Sequence, residues 1–351
     1  MDKKTITIIG SGMMGSALAF PARENGHEVR LVGTHLDKGI IDACRKTGQH
    51  PKFDYPFPEG VKYYYYEDWK EAAEGDDFII CGVSSFGVDW FLESILTELD
   101  PDIAVLSVTK GLVNLEDGTL ISYPEYWKRA LAARGIEREV CAIGGPCTSY
   151  ELVYHDHSEV AFCGKDGSVL KMMKEAMRTS YYHISLTNDV EGLESAVALK
   201  NGYALAVAMT IGLVNRQHGP EAGLHFNSQA AAFYQAAKEM RLLLEIQGAS
   251  RNCEHIGIGD LYVTVYGGRT RKVGILLGEG KTYEEAIEIL SGVTLESLVV
   301  SRRVYSAMVR KAEAGQVDLG QFPLLCHTSA VLDEGRDAEL PWDSFTFDET
   351  I

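Results

Sequence analysis

Short apolar runs alternate with helical patterns through the first half of the chain. Residues 5–9, 28–32, 77–83, 103–108, 140–143, 159–163 and 183–187 read as strands, and residues 16–24 read as a helix between the first two. Strands alternating with helices predict a mostly parallel sheet covered on both faces. Beyond residue 188 the strand signals stop. Helical spacing takes over at 194–213, 227–244, 282–290, 296–313 and 324–333. The change predicts a doubly wound α/β domain over 1–188 and an all-helical domain over 189–351. The run Tyr63–Tyr66 predicts a strand edge before a helix near Trp69, since tyrosine favours strands; stacking on a base is the second reading.

The segment from Glu194 to Leu213 is almost free of charge, apart from Lys200, which Asn201 follows. It reads as a helix buried on most sides. Lys200, Asn201 and the glycines interrupt the apolar run, which favours a core helix over a membrane span. An ammonium in such a helix loses hydration, which lowers its pKa toward the range useful for proton exchange. Alternatively the stem packs and the head reaches water. The helix by itself leaves both readings open.

Composition narrows the function classes. The 351 residues are 46% hydrophobic and 24% charged, as in ordinary globular proteins, and the net charge of -17 argues against a nucleic-acid surface. A small anionic ligand remains compatible, because local cations can outweigh a distant acidic surface. Seven scattered cysteines without a Cys-x-x-Cys read as reduced core residues in a reducing compartment. The opening Met1-Asp-Lys-Lys-Thr leads into a strand without a signal sequence, so the expected location is cytoplasmic.

Gly10-Ser11-Gly12-Met13-Met14-Gly15 follows the first strand and opens a helix. In that context Gly10 permits the turn, Gly12 admits a pyrophosphate and Gly15 lets helix and strand pack closely. The helix N-terminus adds free N–H groups and a positive dipole end. This is the mark of a Rossmann-type dinucleotide domain. After the second strand come Thr34 and His35, the expected cofactor contacts, with Asp37 slightly late; NAD and NADP both stay open. Lys110 follows the strand ending near Val108, at the sheet edge where ligands bind. Asp260 and Thr264 are four apart and share a face if helical. Gly267-Gly268 then precede Arg269, Arg271 and Lys272, which read equally as an anion site or a solvated helix start. His155-Asp156-His157 lacks a further ligand at suitable spacing, so no metal is expected.

Taken in order, these segments resemble the NAD(P)-dependent glycerol-3-phosphate dehydrogenase family. They are Gly10 to Gly15, Ser107 to Leu112, Gly145-Pro146-Cys147 with Glu151, Leu199-Lys200-Asn201, and Gly259-Asp260-Leu261 through Arg269-Thr270. The resemblance implies hydride transfer between a nicotinamide, as NAD or NADP, and C2 of dihydroxyacetone phosphate, a small phosphorylated substrate. It implies Lys200 as proton donor and acceptor, Lys110 as the group polarising the carbonyl, and Asp260 as the partner that orients the lysines. Arg269 would hold phosphate and also contact the cofactor, while Asn201, Thr264 and Thr270 add substrate contacts. Gly145 and Cys147 would line the substrate pocket. Ser84, Lys110, Ser149 and Glu296 would lie on the cofactor side with the glycine loop. The family also implies a homodimer, without a nucleic-acid or membrane partner.

The chain departs from the family's pattern near the substrate and nicotinamide. Thr270 replaces an asparagine, Cys147 a serine or threonine, Ser84-Ser85-Phe86 the region of a Val-Pro, and Met13-Met14 the loop's aromatic. Another phosphorylated ketone, ketose or hydroxy acid is therefore an alternative substrate. A non-catalytic nucleotide sensor is a third reading, against which the joint presence of Lys110, Lys200 and Asp260 argues.

Overall fold

A computed structural model describes residues 2–220, 223, 225–290 and 296–345, with only the backbone described at Glu296 and Ser297. The chain divides into two compact units: Met1–Lys110 with Ser122–Glu194, and Gly111–Ile121 with Ser195–Ile351.

The strands, in chain order, are β1 (Thr5–Ile9), β2 (Glu28–Val32), β3 (Lys62–Tyr64), β4 (Phe78–Cys81), β5 (Ala104–Ser107), β6 (Leu112–Asn114), β7 (Leu120–Ser122), β8 (Val140–Gly144), β9 (Ser158–Cys163) and β10 (Tyr182–Thr187). Eight of them form the sheet of the first unit in the order β10-β9-β8-β5-β4-β1-β2-β3. All neighbours are parallel except β8 and β9, which run antiparallel. The chain order reverses between β1 and β4, so their carboxyl ends form the switch point where doubly wound sheets bind ligands. The continuous apolar runs of β4, β5 and β8 follow from burial on both faces. Tyr63 and Tyr64 lie in the edge strand β3, as the tyrosine run predicts.

Helices α1 (Met13–Glu24), α2 (Lys38–Thr47), α3 (Trp69–Ala72), α4 (Val88–Phe91), α5 (Tyr123–Ala132), α6 (Ser149–Val153) and α7 (Gly167–Met177) accompany this sheet. Arg138 is buried and donates to the carbonyls of Leu96, Leu99, Asp100 and Ile103 at 2.7–3.3 Å, satisfying the backbone of the loop that leads into β5.

The second unit holds most of α8 (Val190–His218), then α9 (Phe226–Ile246), α10 (Arg251–Tyr266), α11 (Gly268–Gly278), α12 (Tyr283–Ile289), α13 (Glu296–Glu313) and α14 (Pro323–Glu334). It also takes in residues 111–121, where β6 pairs with β7. Arg303 and Arg310 on α13 hold this hairpin through the carbonyls of Leu112 and Leu115, at 2.7 and 2.8 Å.

By length and composition α8 could cross a membrane, but 89% of its most apolar window is buried inside the protein, as befits a core helix. Its glycines have a packing reason. A Cβ at Gly212 would strike the Ile275 carbonyl, and one at Gly274 would lie 2.5 Å from the Leu205 carbonyl. Thus α8 and α11 meet backbone to backbone. Glu239, fully buried on α9, accepts from Tyr203 Oη (3.1 Å), Gln235 Nε2 (2.8 Å) and the Leu324 and Leu325 amides (2.7 and 2.9 Å). It thereby caps α14 from a remote position. Burial outweighs these four donors and pushes its carboxyl up to about 7. All seven cysteines are free thiols and five are buried, as the sequence suggests.

Candidate active site

The first unit presents the glycine loop between β1 and α1. Gly10 has φ +108, and a Cβ there would lie 2.7 Å from the Gly82 backbone; a Cβ at Gly15 would strike the Gly10 carbonyl. These two glycines let β1, α1 and the end of β4 touch. Gly12 differs: the nearest atom to a Cβ there is 3.7 Å away. Packing therefore does not account for this glycine, which leaves room in front of the loop. Among the described residues no side chain caps α1, which leaves its first amides available to an anion. A dinucleotide pyrophosphate fits this cradle. Gly82, whose own Cβ would lie 2.7 Å from the Gly10 carbonyl, is the partner that sequence reading missed; its only signal was a glycine directly after β4.

Behind the loop lies His50, 1% exposed, with Nε2 3.2 Å from the Ser11 carbonyl and Nδ1 accepting from the Lys52 amide at 3.1 Å. That pair of contacts requires the neutral Nε2–H tautomer, and burial lowers the pKa of His50 accordingly. Asp37 is also structural. One of its carboxylate oxygens accepts from the Thr34 amide (2.9 Å), the Thr34 hydroxyl (2.8 Å) and the Ser11 amide (3.3 Å), tying the β2 edge to the glycine loop. His35, exposed beside it, meets the rings of Trp90 and Tyr66 with centroids 5.3 and 6.5 Å away.

Lys110, Ser84 and Gly145 follow β5, β4 and β8 at the same carboxyl edge. The Lys110 loop is fixed by Thr109, whose hydroxyl donates to the Val83 carbonyl at 2.8 Å. Gly145 has φ +136, and a Cβ there would lie 2.9 Å from the Glu159 carbonyl; close packing on β9 thus accounts for this glycine. Half-buried Cys147 comes next. Thr148 caps α6 and donates to Glu151 at 2.7 Å, and Ser149 opens that helix.

The second unit builds the acid–base pair. Lys200, 8% exposed, ends on the carboxylate of Asp260, 1% exposed. Its side chain is 10% exposed. Asp260 balances the ammonium charge that burial would otherwise leave costly. Asn201 lies next on α8, half-buried. Helix α10 sets Asp260 and Thr264 one turn apart, with the Thr264 hydroxyl donating to the Asp260 carbonyl at 2.7 Å. Gly268 has φ +80 and starts α11, which has no side-chain cap. Arg269 and Thr270 stand in its first turn, where amides and dipole favour an anion. The side chain of Glu296, at the start of α13, lies outside the described residues.

His155 and His157 diverge: the first meets Glu24 at 2.9 Å and the second stacks on His183. Among the described residues no group of three or more His, Cys, Asp or Glu could hold a metal.

Comparison with known proteins agrees with these features. Residues 5–169 match the N-terminal region of NAD-dependent glycerol-3-phosphate dehydrogenase, and residues 189–342 match its C-terminal region. An NADP(+)-dependent glycerol-3-phosphate dehydrogenase of Archaeoglobus fulgidus is 33% identical over 287 residues, covering 81% of this chain and 83% of its own. A glycerol-3-phosphate dehydrogenase [NAD(P)+] of Leuconostoc citreum is 28% identical over 315 residues, 86% of each chain. The solved glycerol-3-phosphate dehydrogenase of Coxiella burnetii superposes with a TM-score of 0.79 at 24% identity, covering 96% of this chain and 97% of its own, a likeness of fold. The chain belongs to the NAD-dependent glycerol-3-phosphate dehydrogenase family.

Proposed function

We propose that this protein is an NAD- or NADP-dependent oxidoreductase that interconverts dihydroxyacetone phosphate and sn-glycerol 3-phosphate. The observation that carries the reading is the buried Lys200–Asp260 pair, set in a chain that matches the family across both halves. When bound, the nicotinamide supplies or accepts a hydride at C2 of the substrate. The cradle of Gly10 to Gly15 holds its pyrophosphate, with Thr34, His35, Ser84, Ser149 and Glu296 on the cofactor side.

Lys200 gives a proton to the C2 oxygen during reduction and takes it back during oxidation. Asp260 keeps the ammonium oriented, and Lys110 draws charge toward the carbonyl oxygen. The α11 amides and Arg269 hold the substrate phosphate, with Asn201, Thr264 and Thr270 adding hydrogen bonds. Cys147 borders the substrate. In this scheme the first unit supplies most of the cofactor contacts together with Lys110 and Cys147, and the second supplies the acid–base pair and the phosphate site. A homodimer is the proposed assembly, supported by exposed Phe226, Tyr234, Tyr262 and Tyr266 on α9 and α10. A reducing, cytoplasmic setting is supported by the seven free thiols.

The test is a screen of purified protein against dihydroxyacetone phosphate and other phosphorylated ketones, with NADH and NADPH. The reading requires the highest kcat/KM with dihydroxyacetone phosphate. Faster turnover of another ketone would move the assignment to that substrate, and tight cofactor binding without any turnover would support a sensor.

A further inference from the structure

Glu194 is fully buried on α8, and among the described residues neither of its carboxyl oxygens has a hydrogen-bond partner. A buried carboxylate in that state is costly, and an unsatisfied one calls for an explanation. The charged groups that act on it electrostatically are Lys110, from the loop after β5, and Glu191, one turn earlier on α8. Glu191 is engaged elsewhere: it accepts from the Ser122 hydroxyl at 2.6 Å and the Ser122 amide at 2.9 Å. Lys110 is thus the one cation among these neighbours that Glu194 acts upon.

We propose that Glu194 is a positioning residue for Lys110, leaving the ammonium to the substrate when its carboxyl is neutral and competing for it when ionised. The two states differ by one charge at a carboxyl closed to water, from which charges act strongly on their neighbours. A neutral carboxyl lets Lys110 direct its charge at the substrate oxygen. An ionised one draws that charge away and weakens the hold on the substrate without touching the hydride carrier. Burial, with Glu191 adding to it, outweighs Lys110 and pushes the Glu194 carboxyl up to about 8. The neutral state therefore prevails at neutral pH, and the competing state appears above about pH 8.

This inference rests on the role proposed for Lys110. The experiment compares wild type with Glu194→Gln, which stays neutral at every pH. KM and kcat for dihydroxyacetone phosphate are measured across the alkaline range, with NADH affinity followed by fluorescence. In the wild type KM rises severalfold above pH 8 while NADH affinity holds; in Glu194→Gln that rise is absent. An identical alkaline rise in both proteins overturns the proposal. Lys110→Arg separates the two groups. Arginine keeps its proton, so a rise that persists in this variant belongs to Glu194, and one that vanishes belongs to Lys110 itself and overturns the proposal.

A second readout needs neither turnover nor the folded Gln variant. The wild type is reductively methylated with 13C-formaldehyde, and the Lys110 signal is assigned by its loss in Lys110→Arg. That signal should step near pH 8 as Glu194 ionises. A flat response there refutes the coupling. No turnover of dihydroxyacetone phosphate by wild type, with the step present, would instead refute the substrate assignment alone.

Discussion

Replacing Asp260 by leucine removes the carboxylate against which the buried Lys200 ammonium is balanced. The side chains of the pair are 10% and 1% exposed, so water can do little to compensate. Breaking a buried pair in this way costs about 3–5 kcal/mol, whereas replacing both partners by apolar groups of similar volume is often neutral. Lys200→Met with Asp260→Leu should therefore recover most of what Asp260→Leu loses. For a unit of this size, 1 kcal/mol corresponds to about 2–4 °C in Tm, so the single variant should melt roughly 10 °C below wild type. The assay is a double-mutant cycle read by thermal melting and by the urea midpoint of the same transition. Both Lys200 variants should lose at least about a hundredfold in kcat, whatever their stability. If the two single losses simply add in the double variant, the charges do not act as a unit, and the reasoning about the acid–base pair fails.

The two kinds of glycine in the phosphate loop should separate on substitution. Gly10→Ala meets backbone at 2.7 Å in a left-handed conformation and should lower Tm. Gly12→Val projects into open space and should spare Tm while raising the Kd for NADH at least about tenfold, as titration would show. Arg269→Ala should raise KM for dihydroxyacetone phosphate about tenfold or more, the scale of a hydrogen bond to a charged group, yet leave the slow reaction of unphosphorylated dihydroxyacetone unchanged. Glu239 should make stability pH-dependent. Its pKa is raised on folding from 4.5 to about 7, so its neutral form favours the fold fully below about 4.5, and that contribution fades as pH rises through 7. Relative to Glu239→Gln, the wild type should lose roughly 3 kcal/mol of unfolding free energy between those limits, by urea titration at each pH.

What the sequence shows and hides follows from how far apart the interacting groups lie along the chain. Strands β1, β2 and β10 were legible because each pairs its own apolar pattern with a nearby turn, and the glycine loop because strand, turn and helix are contiguous. The hairpin β6–β7 was not: its strands have three residues each, too few for a pattern, and arginines on α13 hold it. The Lys200–Asp260 partnership was legible only through resemblance, since sixty positions separate the two. Arg138 and Glu239 gave no signal, as a buried charge in sequence looks like any surface charge. Asp37 looked late for a cofactor contact; its carboxylate ties Thr34 to Ser11. Gly212 of α8 read as an interruption and proved, with Gly274 of α11, to be the contact itself.

The most direct test of the central claim follows the hydride. The purified protein is given dihydroxyacetone phosphate and nicotinamide cofactor, NADH or NADPH, carrying deuterium at C4 of the ring, and the product is examined by NMR. The account predicts sn-glycerol 3-phosphate with a single deuterium at C2 from one face of the reduced nicotinamide, and loss of that product in Lys200→Met. Deuterium at any other carbon, or undiminished product from Lys200→Met, would contradict it.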